Sequence, residues 1–389
     1  MHTLWQLSPL SLYIHFPWCV KKCPYCDFNS HALKQDLPEN DYVTCLLENA
    51  KRTQDFVQDR SIQTIFMGGG TPSLFSAEAL NRLLQELRKI FNFSEDIEIT
   101  LEANPGTVEQ QRFNDYRAIG INRLSLGIQS FNEKHLTLLG RIHNGTEAKK
   151  AIDTVKEAGF SNFNCDLMFG LPSQTIEEGL ADLAQAIAHS PTHLSWYELT
   201  LEPNTYFWHH PPRLPDDDLI ISLQEQGQAL LQEAGFAQYE ISAFSRQQPC
   251  RHNVNYWEFG DYLAIGAGGH GKVTQHQEAK IMRYHHFRHP KQYMDSAQGY
   301  IQAQTPIPSS QLAFEFMLNA LRLKNGVPTK LFSQRTGLDM DVIMPQLITA
   351  QKKGWLLPFN QTLCTTSLGY RFLNDVVSLF LPETIEASD

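Results

Sequence analysis

Short runs of apolar and β-branched residues recur along the chain, separated by longer stretches whose apolar positions repeat every three to four residues. Residues 12–16, 64–67, 97–102, 123–127, 162–169 and 194–201 have the length and composition of strands. Helical periodicity covers residues 41–59, 76–91, 108–119, 146–158, 175–188 and 217–234. Two of these helices open on a capping box, Thr107 with Gln110 and Thr175 with Glu178, where each side chain satisfies a free backbone N–H of the other. Six strand–helix repeats in succession predict an α/β fold with a parallel sheet of βα units. Periodicity does not choose between an open doubly wound sheet and a partial barrel.

From Phe236 the pattern changes. Residues 239–244, 262–265 and 280–284 read as short strands between Gly-rich or polar turns, and residues 302–310 as a linker. Three helices follow (311–323, 330–336 and 339–353), then a hairpin-like stretch at 355–366 and a last helix at 368–380. The expected division is therefore 1–235, a strand-rich extension over 236–305, and a small, mainly helical domain over 306–389. Helices followed by a hairpin give that last part a winged-helix look, which often means DNA. Its 7 Lys+Arg against 7 Asp+Glu over residues 309–389 leave no basic footprint for phosphates. Nucleic acid is not an expected partner.

Length and composition narrow the class. At about 150 residues per domain, 389 residues suggest two or three domains. A hydrophobic share of 42% is ample for a core and excludes a disordered chain. The net charge of −10 gives no general attraction to nucleic acid or anionic lipid. No apolar run approaches the roughly 18 residues needed to span a bilayer, and the first residues carry neither a basic segment nor an apolar stretch of signal-peptide type. A cytoplasmic protein without a transmembrane segment is expected.

The 7 cysteines change the picture. The number is odd, and Cys19, Cys23 and Cys26 crowd together while Cys45, Cys165, Cys250 and Cys364 are scattered, which is no disulfide framework. Cys45, Cys165 and Cys364 sit in apolar or helical contexts and read as inert small hydrophobes. Cys19-x-x-x-Cys23-x-x-Cys26 follows the first predicted strand. Three thiolates can hold three irons of a four-iron cluster and leave the fourth open to a chelating ligand. The alternative is zinc, which normally wants four closed ligands; His15 or His31 could supply the fourth, but neither has zinc-finger spacing.

The segment from Tyr13 through Cys19, Cys23, Tyr25 and Cys26 to Phe28 resembles the cluster loop of radical S-adenosylmethionine (SAM) enzymes. Within that superfamily the chain is similar, over nearly its whole length, to the branch of oxygen-independent coproporphyrinogen III oxidases and their haem-chaperone relatives. The resemblance implies a partial (β/α)6 barrel, a [4Fe-4S] cluster held by Cys19, Cys23 and Cys26, and SAM on its open iron. Gly68-Gly69-Gly70-Thr71-Pro72 follows the second strand, where glycines let backbone groups approach a ligand closely. In the resembling family this segment meets the methionyl amino group of SAM, which brings in Gly69, Gly70 and Thr71. Glu102, Gln129, Arg141 and Asp166, at or just beyond later strand ends, match the family's SAM contacts in order and spacing, and Tyr13 and Tyr25 match positions near SAM. Taken singly, each is more often a structural polar contact than a ligand. A carboxylate such as Asp166 inside an apolar strand is nonetheless expensive to bury unpaired.

Two features separate enzyme from carrier. Oxidases of the branch continue the motif with a further Cys where this chain has Phe28, and they carry a longer segment before the cluster loop than the 18 residues found here. Both departures favour the haem-chaperone type, implied to bind haem and pass it to an acceptor protein, with an electron donor serving the cluster. A SAM-cleaving oxidoreductase acting on a tetrapyrrole is the alternative, and a methyltransferase-like activity a weaker third, since fold does not fix chemistry. His252, in His252-Asn-Val-Asn-Tyr256-Trp257, lies in a stretch expected to be turn-rich. A lone His is more often a core residue, but this segment resembles a chaperone-type signature and makes His252 the expected haem ligand.

Two further motifs resist a functional reading. Gly266–Lys272 satisfies G-x-G-x-x-G and part of a P-loop, yet Val273 stands where the Mg²⁺-binding Ser/Thr should be. The basic run from Arg283 to Lys291 reads as a solvated face, though it could meet haem propionates.

Overall fold

A computed structural model describes residues 5–107, 110–295 and 299–382 of the chain. The side chains of Thr107 and Gln110, with the capping box expected between them, lie outside the described residues, as does Val108 at the start of the predicted helix.

One 12-stranded sheet organises the molecule. Its strands are β1 (Leu10–Phe16), β2 (Ile62–Gly69), β3 (Phe93–Ala103), β4 (Arg123–Gln129), β5 (Phe163–Phe169), β6 (His193–Glu198), β7 (Ala237–Glu240), β8 (Ala243–Ser245), β9 (Asp261–Ile265), β10 (His270–Gln275), β11 (Lys280–His286) and β12 (Ile301–Pro306). Strands β1 to β6 lie side by side in chain order, all parallel. Strand β9 joins the other side of β1, also parallel, so β1 is central although it comes first. Antiparallel strands extend both ends: β10, β11 and β12 beyond β9, and β8 and β7 beyond β6. Among the described residues β12 and β7 do not pair with each other, so the sheet is an open, partial barrel.

Each of the first six strands leads into a helix on the outer face: α1 (Glu39–Arg52), α2 (Ala77–Ile90), α3 (Gln110–Ala118), α4 (Gly145–Glu157), α5 (Ile176–Ala188) and α6 (Asp217–Glu233). Helix α2 shows why. Ser76 caps its first turn by accepting from Ala79 N, and Leu80, Leu83, Leu84 and Leu87 form one fully buried stripe. Each such leucine contributes about 2 kcal/mol of burial. The expected Thr175–Glu178 box closes with both hydrogen bonds, and an Asn144–Glu147 box opens α4 in the same way.

The sheet's two faces differ in kind. Leu10, Leu12, Ile14 and Phe16 of β1, Ile97, Ile99 and Leu101 of β3, and Leu124 and Leu126 of β4 pack outward against the helices. The alternate positions are polar or aromatic: Ser11, Tyr13 and His15; Glu98, Thr100 and Glu102; Arg123 and Ser125; Asn164 and Asp166; Ser195 and Tyr197. The register lines them up across neighbouring strands, Tyr13 beside Phe66, Glu102 beside Ser125, and Asp166 beside Ser195. An all-parallel sheet buried on both faces usually reads as continuous hydrophobic runs. Here the concave face is built to hold something other than its own core.

The C-terminal helices gather a second apolar cluster around Phe316, Phe332 and Leu347, packed on Tyr239, Phe259 and Ile281 of the extension. Several expectations are corrected. Residues 239–244 are not one strand but the two arms of the β7–β8 hairpin. The segment read as a linker holds all of β12 but Ile301, and the strand escaped detection because Gln302, Ala303, Gln304 and Thr305 form an exposed edge without apolar alternation. The stretch around His252 is the helix α7 (Arg251–Trp257), not a turn region. In the P-loop look-alike, Gly266 and Gly268 make a turn with φ of +102° and +80° into β10. Lys272 is buried there, its Nζ donating to Phe259 O at 3.1 Å and pairing with Asp261 at 3.5 Å, so it is not free for phosphate.

Asp261 is fully buried and also pairs with Arg60 at 2.7 Å and accepts from Thr274 N and Oγ1 at 2.8 and 2.9 Å. Removing it strands two cations. Asp261→Ala is expected to cost about 3–5 kcal/mol in urea unfolding, and Asp261→Asn, which keeps an acceptor oxygen, distinctly less.

Candidate functional site

All six leading strands point their carboxyl ends at one cavity of about 630 Å³. The loop after β1 brings Cys19, Cys23 and Cys26 to its rim. Two backbone hydrogen bonds hold this loop against the glycine turn after β2: Gly70 N donates to Phe16 O and Thr71 N to Trp18 O, both at 2.7 Å. A Cβ on Gly70 would lie 2.5 Å from Trp18 O, and one on Gly69 (φ +104°) would strike the His15 ring at 2.3 Å. These glycines are thus required first by the chain's own close approach.

Each sulfur has a donor aimed at it. Thr71 Oγ1 donates to Cys19 Sγ at 3.5 Å, the Arg141 guanidinium to Cys23 Sγ at 3.6 Å, and Ser30 Oγ lies 3.6 Å from Cys26 Sγ. Burial pushes the Cys19 and Cys26 thiols up, against the opposing hydroxyls of Thr71 and Ser30. Deprotonating them therefore falls to whatever metal they bind. Among the described residues no three His, Cys, Asp or Glu groups converge as single-ion ligands. His15 could not complete a zinc site, since Tyr13 Oη and Asn29 O occupy its two ring nitrogens at 3.0 and 2.9 Å. Three thiols spread along a rim, each met by a donor, fit an iron–sulfur cluster instead.

The cavity floor carries two carboxyl groups. Burial, and then the neighbouring charge of Asp166, pushes Glu102 up to about 8, while Gly69 N donates to it at 3.3 Å. Burial also raises Asp166, opposed by hydrogen bonds from Ser125 and Asn164 at 2.9 and 2.8 Å. Arg141 reaches Asn104 Oδ1 at 2.5 Å and Gly127 O at 2.7 Å, and its Nε is buried with no partner. Gln129 adopts φ +68° and accepts from Tyr197 Oη at 2.7 Å. An acidic floor beside an arginine with a spare N–H fits a ligand bearing one cationic and one anionic group.

The structure thus brings Tyr25, Gly69, Gly70, Thr71, Glu102, Gln129, Arg141 and Asp166 together with the three cysteines. Tyr13 lines an adjoining cavity instead, its hydroxyl turned to His15. His252, the expected haem ligand, lines neither. It is 1% exposed, its ring tilted at 5.2 Å from that of Phe66, with one ring nitrogen on Thr64 Oγ1 at 2.7 Å and the other on Tyr256 Oη at 2.8 Å. Sequence reasoning missed Asn104, which joins Thr71 to Arg141, and Tyr197; a polar residue closing the third strand was the available signal for Asn104. It also missed Arg322, which reaches this cavity from the C-terminal part and stacks on Trp257 at 4.2 Å.

A three-cysteine loop at the head of the first strand, a glycine turn at the head of the second and polar strand ends around one cavity define a radical SAM protein. The Radical SAM superfamily profile matches residues 13–185, and that of the HemN C-terminal domain residues 307–372. Heme chaperone HemW of Haemophilus influenzae is 50% identical over 383 residues, covering 97% of this chain and 99% of that protein. HemW of Escherichia coli is 50% identical over 379 residues, covering 97% and 100%. In fold, the chain is similar to coproporphyrinogen III oxidase (HemN) from Escherichia coli, with a TM-score of 0.82 at 22% identity over 96% of this chain and 90% of that one. The chain belongs to the HemW family.

Two outcomes test the site. Reconstituted Cys23→Ser is expected to lose most of its iron and sulfide; a full four-iron complement with an unchanged EPR response to SAM would remove Cys23 from the ligand set. Glu102, raised in the folded protein, must ionise at a cost as pH climbs from its unfolded value toward 8. In urea unfolding of the metal-free protein, Glu102→Gln should therefore gain stability relative to the parent between pH 5 and 9, by roughly 1–3 kcal/mol.

Proposed function

We propose that this protein is a haem chaperone, binding haem and transferring it to an acceptor protein, on a radical SAM scaffold that carries one [4Fe-4S] cluster and SAM. The observation that carries the haem part is a second cavity, of about 520 Å³, beside the first. Phe28, Gly69, Glu102 and Trp257 border both. Tyr13, Tyr256, Phe259 and Tyr262 give the second cavity aromatic walls, which suit a flat apolar ring system. Phe28 is 59% exposed at the partition, where an oxidase of the related branch carries a cysteine. The full-length similarity to proteins named heme chaperone supports the same reading.

On this reading Cys19, Cys23 and Cys26 hold the cluster, and the Thr71, Arg141 and Ser30 donors stabilise the charge on their sulfurs. The cluster and SAM together supply an open iron and one-electron reducing chemistry. Glu102 and Asp166 face the cationic end of SAM, and the free Nε–H of Arg141 its carboxylate. Gln129, Tyr25 and Tyr197 wall the remainder of the cavity. The partners required are haem, a haem acceptor protein and an electron donor, in a reducing, cytoplasmic setting. No helix among the described residues is long and apolar enough to cross a membrane.

Anaerobically reconstituted protein given haem should develop a Soret band at one equivalent. Given coproporphyrinogen III, SAM and a reductant, it should yield no protoporphyrinogen IX. Turnover on the order of one per minute or faster, against about 10 per second for a typical enzyme, would put the tetrapyrrole oxidoreductase reading first.

A further inference from the structure

The haem reading leaves open where the iron binds, and the cavity's own geometry addresses that. Across the concave face, Tyr13 of β1 pairs with Ala264 of β9, and the antiparallel register that sets Tyr262 beside Lys272 carries Ala264 to His270 of β10. His270 in turn pairs with His285 of β11. The row therefore reads tyrosine, alanine, histidine, histidine. His270 is exposed to the cavity, and neither of its ring nitrogens makes a hydrogen bond among the described residues. Its ring lies 5.2 Å from that of His285 at an interplanar angle of 26°. The other histidines nearby are committed: both nitrogens of His15 and of His252 are taken, and His286 donates to Ala264 O on the far side of the strand.

Charge at the same mouth fits the other end of haem. Arg283, paired with Glu315 at 2.6 Å, and Arg288 both line the cavity from β11 and the residues just beyond it. Burial, with the charges of His285, Arg288 and Arg283, lowers the His270 pKa, which keeps its ring neutral and able to ligate. A carboxylate-bearing macrocycle would find an aromatic wall, one open imidazole and two guanidinium groups around a single cavity.

Resting on the haem-carrier reading, the geometry points to the cavity beside the SAM site as the haem seat, with His270 as axial ligand and Arg283 and Arg288 meeting the propionates. Haem titration of the full-length, cluster-reconstituted protein tests it. His270→Ala is expected to weaken binding about tenfold or more and to shift the Soret maximum, with cluster iron and far-UV circular dichroism unchanged. Added imidazole should restore the parent spectrum by filling the vacated position. Arg283→Gln with Arg288→Gln should weaken binding severalfold without moving the Soret band. A parent-like spectrum and affinity in His270→Ala, or a Soret shift in His252→Ala alone, overturns the ligand while leaving the haem reading intact. Failure of the parent protein to bind haem at all overturns both.

Discussion

Two backbone hydrogen bonds, Gly70 N to Phe16 O and Thr71 N to Trp18 O, hold the rest of the site in place. They continue the parallel pairing of the first two strands past their ends, so that the cysteine loop and the glycine turn form one surface. The spacing leaves no room for a Cβ at Gly70. Because this contact is main chain on main chain, it is insensitive to most side-chain change and sets where every other group must reach. Thr71 then falls beside Cys19, Asn104 beside Thr71, and Arg141 between Asn104 and Cys23.

The concave face makes a different kind of demand. An interior lined by Glu98, Glu102, Arg123 and Asp166 forgoes the stabilisation an apolar filling would give, and the cost is met by dense mutual hydrogen bonding. Asn164 Nδ2, for example, lies within 2.9 Å of Ser125, Asp166 and Ser195 oxygens, to which its two N–H groups donate, while its oxygen bonds His193. Such a network fixes side chains without help from a ligand. The outer face, with its leucine and isoleucine stripes, provides the stability that allows the inner face to stay polar.

Much of this was legible because it is local. The cysteine spacing, the glycine turn and the helix periodicities each lie within a few residues, and the parallel βα order follows from their succession. What was not legible depends on distant partners. Helix α7 has no capping side chain of its own; the carboxylate of Glu98 accepts from Arg251 N and His252 N at 3.3 and 3.2 Å, a cap supplied from another strand. The placement of His252 followed the same way, since Thr64 and Tyr256 engage a ring in a stretch that read as turn-rich. The sequence already set Lys272 aside as a phosphate ligand on the strength of Val273, but did not disclose its true partners, Asp261 and the Phe259 carbonyl. The edge strand β12 lacks the apolar alternation that would announce it.

Asn29 ties the opposite ends of this history together. It sits just past Cys26, its carbonyl accepts from His15, and its amide donates to Ala267 O and Arg288 O at 3.0 and 2.8 Å. Those two acceptors are 238 and 259 residues further along the chain. Strand β9, which completes the central position of β1, arrives equally late. The cysteine loop is thus anchored twice, by the glycine turn close to it in sequence and by acceptors 238 and 259 residues away, so a change around Ala267 or Arg288 would be felt at the cysteines.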